Sequence, residues 1–128
     1  MKVGDSLPAW RHGVEAPAMA PVARILRDPN PIHLDPAAVR AIGLGDRVIN
    51  QGPANLAYVM NMLAAAFPKH RIETLESRFL ANVRADDQVE AGGRIESIDG
   101  NRITCDVWLD VEGGRPAVKG RAVLVERD

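Results

Sequence analysis

The sequence is poor in four things, and each scarcity removes a class of protein. A single cysteine, Cys105, occurs in 128 residues, so neither an internal disulfide nor a cysteine-rich zinc site can form. That usage fits a reducing compartment, and a cytoplasmic location is expected. Aromatic residues make up 4%, too few for the stacking platforms that read single-stranded nucleic acid. Neither sign of charge is in excess: 16 Lys and Arg face 17 Asp and Glu, for a formal net charge of -1. A nucleic-acid binder would carry a basic surplus. Long apolar runs are also missing. The longest, over residues 54–67, is interrupted by Asn55 and Asn61. As a helix it would reach about 20 Å at ~1.5 Å per residue, short of a bilayer core of ~30 Å. Near the start, Asp5 and Pro8 stand where a secretion signal would carry its apolar segment.

What is present is globular composition, 46% hydrophobic and 26% charged, in a length that suits one domain over residues 1–128. The two halves differ in grain. Residues 1–71 are rich in Pro and Ala and hold the best helix signal, residues 53–67, with Pro53 at the first helical position and Pro68 as a stop. Leu56, Tyr58, Val59, Met60, Met62, Leu63 and Phe67 are spread around that helix, which predicts burial on most sides. Short helices are expected over residues 21–27 and 36–42, the second capped by Asp35. The second half alternates with period two. Val89, Ala91, Gly93 and Ile95 share one face, as do Ile103, Cys105, Val107, Leu109 and Val111. Asp99-Gly100 and Gly113-Gly114 predict hairpin turns, the second leading into a strand over residues 117–125. A further strand is expected over residues 72–83, and Gly92-Gly93 predicts a bulge or a close backbone approach. A helix followed by an antiparallel meander is α+β, and an apolar helix wrapped by a half-buried sheet is the hot-dog arrangement.

The chemistry concentrates in residues 27–35, R-D-P-N-P-I-H-L-D. Pro29 and Pro31 fix their own φ and push Asp28 and Asn30 out of helical conformation. The turn thereby presents a carboxylate and an imidazole side by side, a pair able to polarise a water as general acid and base. Asn30 can both donate and accept, which suits an orienting residue. A plain turn, with Asp28 as a cap and His33 satisfied at a loop edge, explains a lone Asp or His but fits the whole string less well. A metal held by Asp28, His33 and Asp35 is disfavoured, because His12 and His70 lie in unrelated contexts. The second element is I-N-Q-G-P, Ile49 and Pro53 with Asn50, Gln51 and Gly52 between them. Its glycine lets a ligand approach unpaired N–H groups at a helix start, although a simple N-cap explains it equally well.

Together, D-P-N-P-I-H and a glycine 19 residues after the His, at the mouth of a buried helix, resemble the MaoC-like, R-specific enoyl-thioester hydratase and dehydratase family. V-G-D-S-L-P near the start and the closing strands extend the likeness over one hot-dog unit. The resemblance implies catalytic roles for Asp28 and His33, with His33 as the expected base. It makes Asn30 a supporting residue at the substrate and gives Gly52 a backbone N–H that binds the thioester carbonyl. Asn50 and Gln51 are expected beside the substrate. The chain departs from the family in having Arg27 before the Asp, Gln51 where a His often stands, and Pro53 after the glycine. The implied substrate is a thioester of coenzyme A or acyl carrier protein, with no cofactor and no metal. A homodimer or higher assembly is expected, with or without a second hot-dog chain. Two other readings are a structural or acyl-binding subunit of a hetero-oligomeric dehydratase and a hot-dog thioesterase. The second is disfavoured because residues 54–67 contain no Asp or Glu.

Overall fold

A computed structural model describes residues 1–128. The meander forms where alternation placed it: β2 (His70–Phe79), β3 (Gln88–Asp99), β4 (Arg102–Val111) and β5 (Arg115–Glu126). A short β1 (Trp10–Gly13) precedes them. The five strands make one antiparallel sheet in the order β1-β3-β4-β5-β2. Gly100 turns the β3–β4 hairpin at φ 60°, and Gly113 and Gly114 turn the next at 93° and 85°, values that favour glycine. The sheet curls around α3 (Gly52–Ala66), whose Val59, Met62 and Leu63 join Ile95, Cys105, Val107, Leu109, Val118, Ala122 and Leu124 in one core. This is the hot-dog arrangement in a single α+β unit.

The curl needs close approach, which glycine permits. A Cβ on Gly120 of β5 would lie 2.1 Å from the Glu76 carbonyl oxygen of β2. The Gly92-Gly93 pair is likewise an approach, not a bulge. The β3–β4 ladder runs through both glycines, and the register shifts later, between Ile95 and Ser97. A Cβ on Gly92 would meet the Trp108 indole nitrogen at 2.5 Å, and one on Gly93 would meet Leu7 and the Asp106 carbonyl at 3.0 Å.

Three expectations shift, and one strand was not expected. The helix starts at Gly52, so Pro53 is its second residue and Phe67 its C-cap. It is not apolar-buried all round: Pro53, Ala57, Met60, Asn61, Ala64 and Ala65 are exposed along one side, since small or flexible side chains read as apolar without needing cover. The strand expected over residues 72–83 ends at Phe79, because Val83, Arg84 and Ala85 pair instead with the segment leading into α3. The strand β1 carries no alternation long enough to read, and its pairing with residues 88–91 is remote in sequence. The short helices are α1 (Met19–Leu26) and α2 (Pro36–Ala41), and Asp35 caps α2 as expected by accepting from the Ala37 N–H at 2.9 Å.

Candidate active site

Local backbone chemistry builds the loop. At the end of α1, Arg27 adopts φ 52°, the left-handed region that a side chain rarely enters. This reversal lets the Asp28 N–H return to the Ala23 carbonyl at 3.0 Å. The Asp28 Oδ1 then accepts from the Asn30 N–H at 3.1 Å, and the Asn30 Oδ1 accepts from the Ile32 N–H at 3.3 Å. Asn30 thus caps a single tight turn of residues 31–33, which carries His33.

That turn is fastened to the approach of α3. The Ile49 N–H donates to the Ile32 carbonyl at 2.9 Å, and the His33 Nδ1–H donates to the Ile49 carbonyl at 2.6 Å. A carbonyl can only accept, so the second bond fixes the imidazole tautomer with hydrogen on Nδ1. The remaining ring nitrogen, Nε2, lies 3.2 Å from Asp28 Oδ2. His33 is buried, at 8% exposure, while the Asp28 side chain is about one-third open to solvent. The contact is direct, with no room for a water between the two groups. A water reaching both must bridge them from the open side, where Asp28 is accessible. Asp35, the third residue a metal would use in this loop, caps α2 instead.

Three residues beyond Ile49, α3 begins. The Gly52 N–H has no acceptor within the protein, as the first helical N–H groups ordinarily lack one, and Pro53 has no N–H. Asn50 and Gln51, expected beside a substrate, use their amides internally. Asn50 Nδ2 donates to Asn55 Oδ1 at 2.8 Å and to the Tyr58 hydroxyl oxygen at 3.0 Å. Gln51, 1% exposed, donates from Nε2 to the Met19 carbonyl at 2.9 Å and leaves its Oε1 without a partner. The carboxamide of Asn30 is engaged in its cap. Of these, the Gln51 bond ties the α3 entrance to α1, and the Asn50 bonds tie it to the first turns of α3 itself.

Two neighbours carry little signal in the sequence. The Phe79 ring, at the end of β2, lies against Gly52: a Cβ there would meet its Cζ at 3.2 Å and its Cε1 at 3.3 Å. Its only sequence signal is an apolar pair, Phe79-Leu80, at the end of a strand whose other apolar residues are Ile72 and Leu75. The second is a stack on the helix side of the sheet. Trp10 lies 5.4 Å from His12 and 5.8 Å from Tyr58, ring centroid to centroid, and His12 lies 4.7 Å from Tyr58. Trp108 sits on the other face of the sheet, across Gly92. Burial, opposed by the Asn50 hydrogen bond, raises the Tyr58 hydroxyl above its usual range. Burial, with the Asp106 charge adding to it, pushes the Cys105 thiol up to about 11 and leaves a core thiol with little nucleophilic form.

A family model described as the MaoC-like domain matches residues 13–108. No curated protein matches the chain. Among solved structures, an (R)-hydratase from A. caviae involved in PHA biosynthesis is similar with a TM-score of 0.91 and 24% identity, over 99% of this chain and 98% of that one. The ChsH1–ChsH2 complex from Mycobacterium tuberculosis is similar with a TM-score of 0.86 and 21% identity, over 98% of each chain. A MaoC-like dehydratase from Rhodospirillum rubrum gives 0.82 and 25%, over 100% of this chain and 94% of that one. At these identities the first two are likenesses of fold.

Proposed function

The chain belongs to the MaoC-like domain family, and from that premise we propose that it catalyses reversible, R-specific hydration of 2-enoyl thioesters. One observation carries the reading: His33, its tautomer fixed by the Ile49 carbonyl, turns Nε2 onto Asp28 at 3.2 Å in a loop tied to the mouth of α3. With Nδ1 committed, proton traffic runs through Nε2 and the Asp28 carboxyl group alone. Water bridging the pair attacks C3 of the enoyl group while one member takes its proton, and the other delivers a proton to C2. The hydroxyl and the hydrogen enter from the same side, and exchange across the pair restores the starting state. Two groups that act as a unit share these roles. Negative charge grows on the thioester oxygen as C3 is attacked. In this reading the Gly52 N–H, which has no protein acceptor, and the positive end of α3 stabilise it, an effect typically of ~10²–10³ in rate per donor.

The thioester is carried by coenzyme A or acyl carrier protein, in fatty acid metabolism, and the chain's own groups need no cofactor or metal for these steps. No helix is long and apolar enough to cross a membrane, and a cytoplasmic location is proposed. The working unit is a dimer or higher assembly: β1 and β2 leave both sheet edges unpaired, and α3 leaves Met60 45% exposed between Ala57 and Ala64. A fold like that of the two-chain ChsH1–ChsH2 complex keeps a second reading alive, a subunit that works with a different hot-dog chain. Purified protein mixed with crotonyl-CoA and longer enoyl-CoAs should remove the enoyl absorbance, with light scattering after gel filtration giving the mass of the active species. Turnover by a monomer at full rate rejects the assembly. A folded oligomer inert on every enoyl-CoA and enoyl carrier-protein thioester rejects the hydratase.

A further inference from the structure

We propose that Phe79 is a specificity-determining wall of the thioester site, standing where a substituent on C2 of the acyl group must pass and favouring thioesters unbranched at C2. The inference rests on the reading of Gly52 as the carbonyl donor. In a helix each Cα–Cβ bond tilts toward the N-terminus, the direction in which the unpaired first N–H groups also point. The Phe79 ring occupies the Cβ direction of Gly52, 3.2–3.3 Å from where that carbon would be. Ring and donor therefore border the same space.

The backbone beneath the ring is fixed. Phe79 pairs with Val118 in the β2–β5 ladder, and the Leu80 N–H donates to the Ala117 carbonyl at 2.8 Å. The side chain is not held by burial: Phe79 is 55% exposed and Leu80 48%, an apolar pair left open at a strand end. The ring lies against Gly52, a residue without a side chain. Any larger residue at position 52 would push the ring aside, so the glycine serves the ring's position as well as ligand access to the main chain.

A carbonyl accepting from the Gly52 N–H brings its two substituents, the thioester sulfur and C2, to the same mouth. C2 is two bonds from the accepting oxygen, so a methyl branch there projects into the layer the ring already fills. One methyl group against an apolar wall is worth about 10–200-fold in selection.

The test compares crotonyl-CoA with its 2-methyl analogue by kcat/KM, in wild-type protein, Phe79→Ala and Phe79→Leu, each checked for fold by thermal melting. Calorimetric binding of butyryl-CoA and 2-methylbutyryl-CoA, which carry no double bond to hydrate, runs alongside. The wild type should prefer the unbranched member at least tenfold in both assays. Phe79→Ala should shrink that preference about tenfold, and Phe79→Leu should lie between. A preference unchanged in Phe79→Ala, with crotonyl-CoA still hydrated, overturns the wall and leaves the hydratase standing. Binding discrimination that Phe79→Ala removes, without turnover of either enoyl thioester, supports the wall and overturns hydration. If the alanine variant does not fold, Phe79→Leu decides: an unchanged preference overturns the wall and a reduced one supports it. Wild type that neither binds nor turns over any of the four overturns both.

Discussion

Two regions of the chain, residues 27–35 and residues 88–126, are ordered by different means. The long ladder of β3, β4 and β5 is held by strand pairing along its length and by inward side chains such as Ile95, Cys105, Leu109 and Leu124, each at most 1% exposed. The loop buries little besides His33. Its shape comes from a left-handed Arg27, an Asp28 carboxylate accepting its own loop's N–H, the Asn30 cap and two hydrogen bonds to Ile49. A pair that reacts as proposed needs one face open to water and substrate, which a core position cannot give. Short-range bonds can fix a carboxylate and an imidazole at 3.2 Å while leaving that face open. The comparison implies that damage to the loop shows in turnover and damage to the ladder shows in stability.

The largest expected effect is on the loop side. Asp28→Asn keeps the shape but cannot exchange a proton with Nε2, so hydration should fall by ~10²–10⁴, with thermal melting little changed. His33→Ala should lose as much activity, at some added cost from the unpaired Ile49 carbonyl. A folded Asp28→Asn protein turning over at the wild-type rate would remove the loop from the chemistry. Gly120→Ala should do the opposite. Its Cβ would lie 2.1 Å from a backbone oxygen of β2, which cannot move without opening the ladder, so a loss of ~1–3 kcal/mol or more is expected in urea denaturation. Gly92→Ala meets the half-buried Trp108 indole, a side chain that can swing, and should cost less. Equal costs for the two glycines would mean that the β2–β5 contact is not what makes the curl rigid.

The ladder was legible because period two is a direct consequence of strand geometry, and Asp99-Gly100 and Gly113-Gly114 mark its turns. The pairing of Asp28 with His33 was legible for another reason: Pro29 and Pro31 restrict the backbone locally. What escaped depends on distant chain. That β1 exists follows only from residues 88–91 lying beside it, and Val83 left β2 because the entrance to α3 competes for its carbonyl. The amide donors of Asn50 and Gln51 go to Asn55, Tyr58 and Met19, bonds that no local pattern in the sequence records. Phe79 over Gly52 is a contact between a strand end and a helix start, and no sequence period records it.

Cys105 offers a smaller test on the ladder side. Burial lifts its thiol to about 11, above the value near 9 that it has when exposed. Between those values the folded chain keeps a proton that the unfolded chain has lost, so stability falls as pH rises from about 9 to about 11 and is unaffected below. Alkylation by iodoacetamide at pH 9 should proceed only as fast as the protein opens, and Cys105→Ser should flatten the decline in melting temperature across that window. Rapid labelling of folded protein would show that β4 opens locally, contrary to the rigidity assigned to it.

The smallest expected effect in stability also marks where the reacting part of the loop ends, because it compares two caps only five residues apart. Asn30 Oδ1 accepts from the Ile32 N–H, and Asp35 Oδ1 accepts from the Ala37 N–H. Replacing either by alanine removes one side-chain acceptor from a short turn, worth ~0.5–2 kcal/mol, so the two melting temperatures should fall by similar small amounts. Their consequences for turnover should differ. The Asn30 cap orders the turn that carries His33, and its loss lets Nε2 drift from Asp28; misplacement of that kind lowers kcat by ~10²-fold. The Asp35 cap orders α2, which contributes no group to the pair, so Asp35→Ala should hydrate crotonyl-CoA at close to the wild-type rate. Steady-state kinetics beside differential scanning on both variants reads the contrast directly. Matched losses of kcat would mean that α2 and the loop move as one body, and the division between a locally capped site and a ladder-held scaffold would then have to be drawn after residue 41.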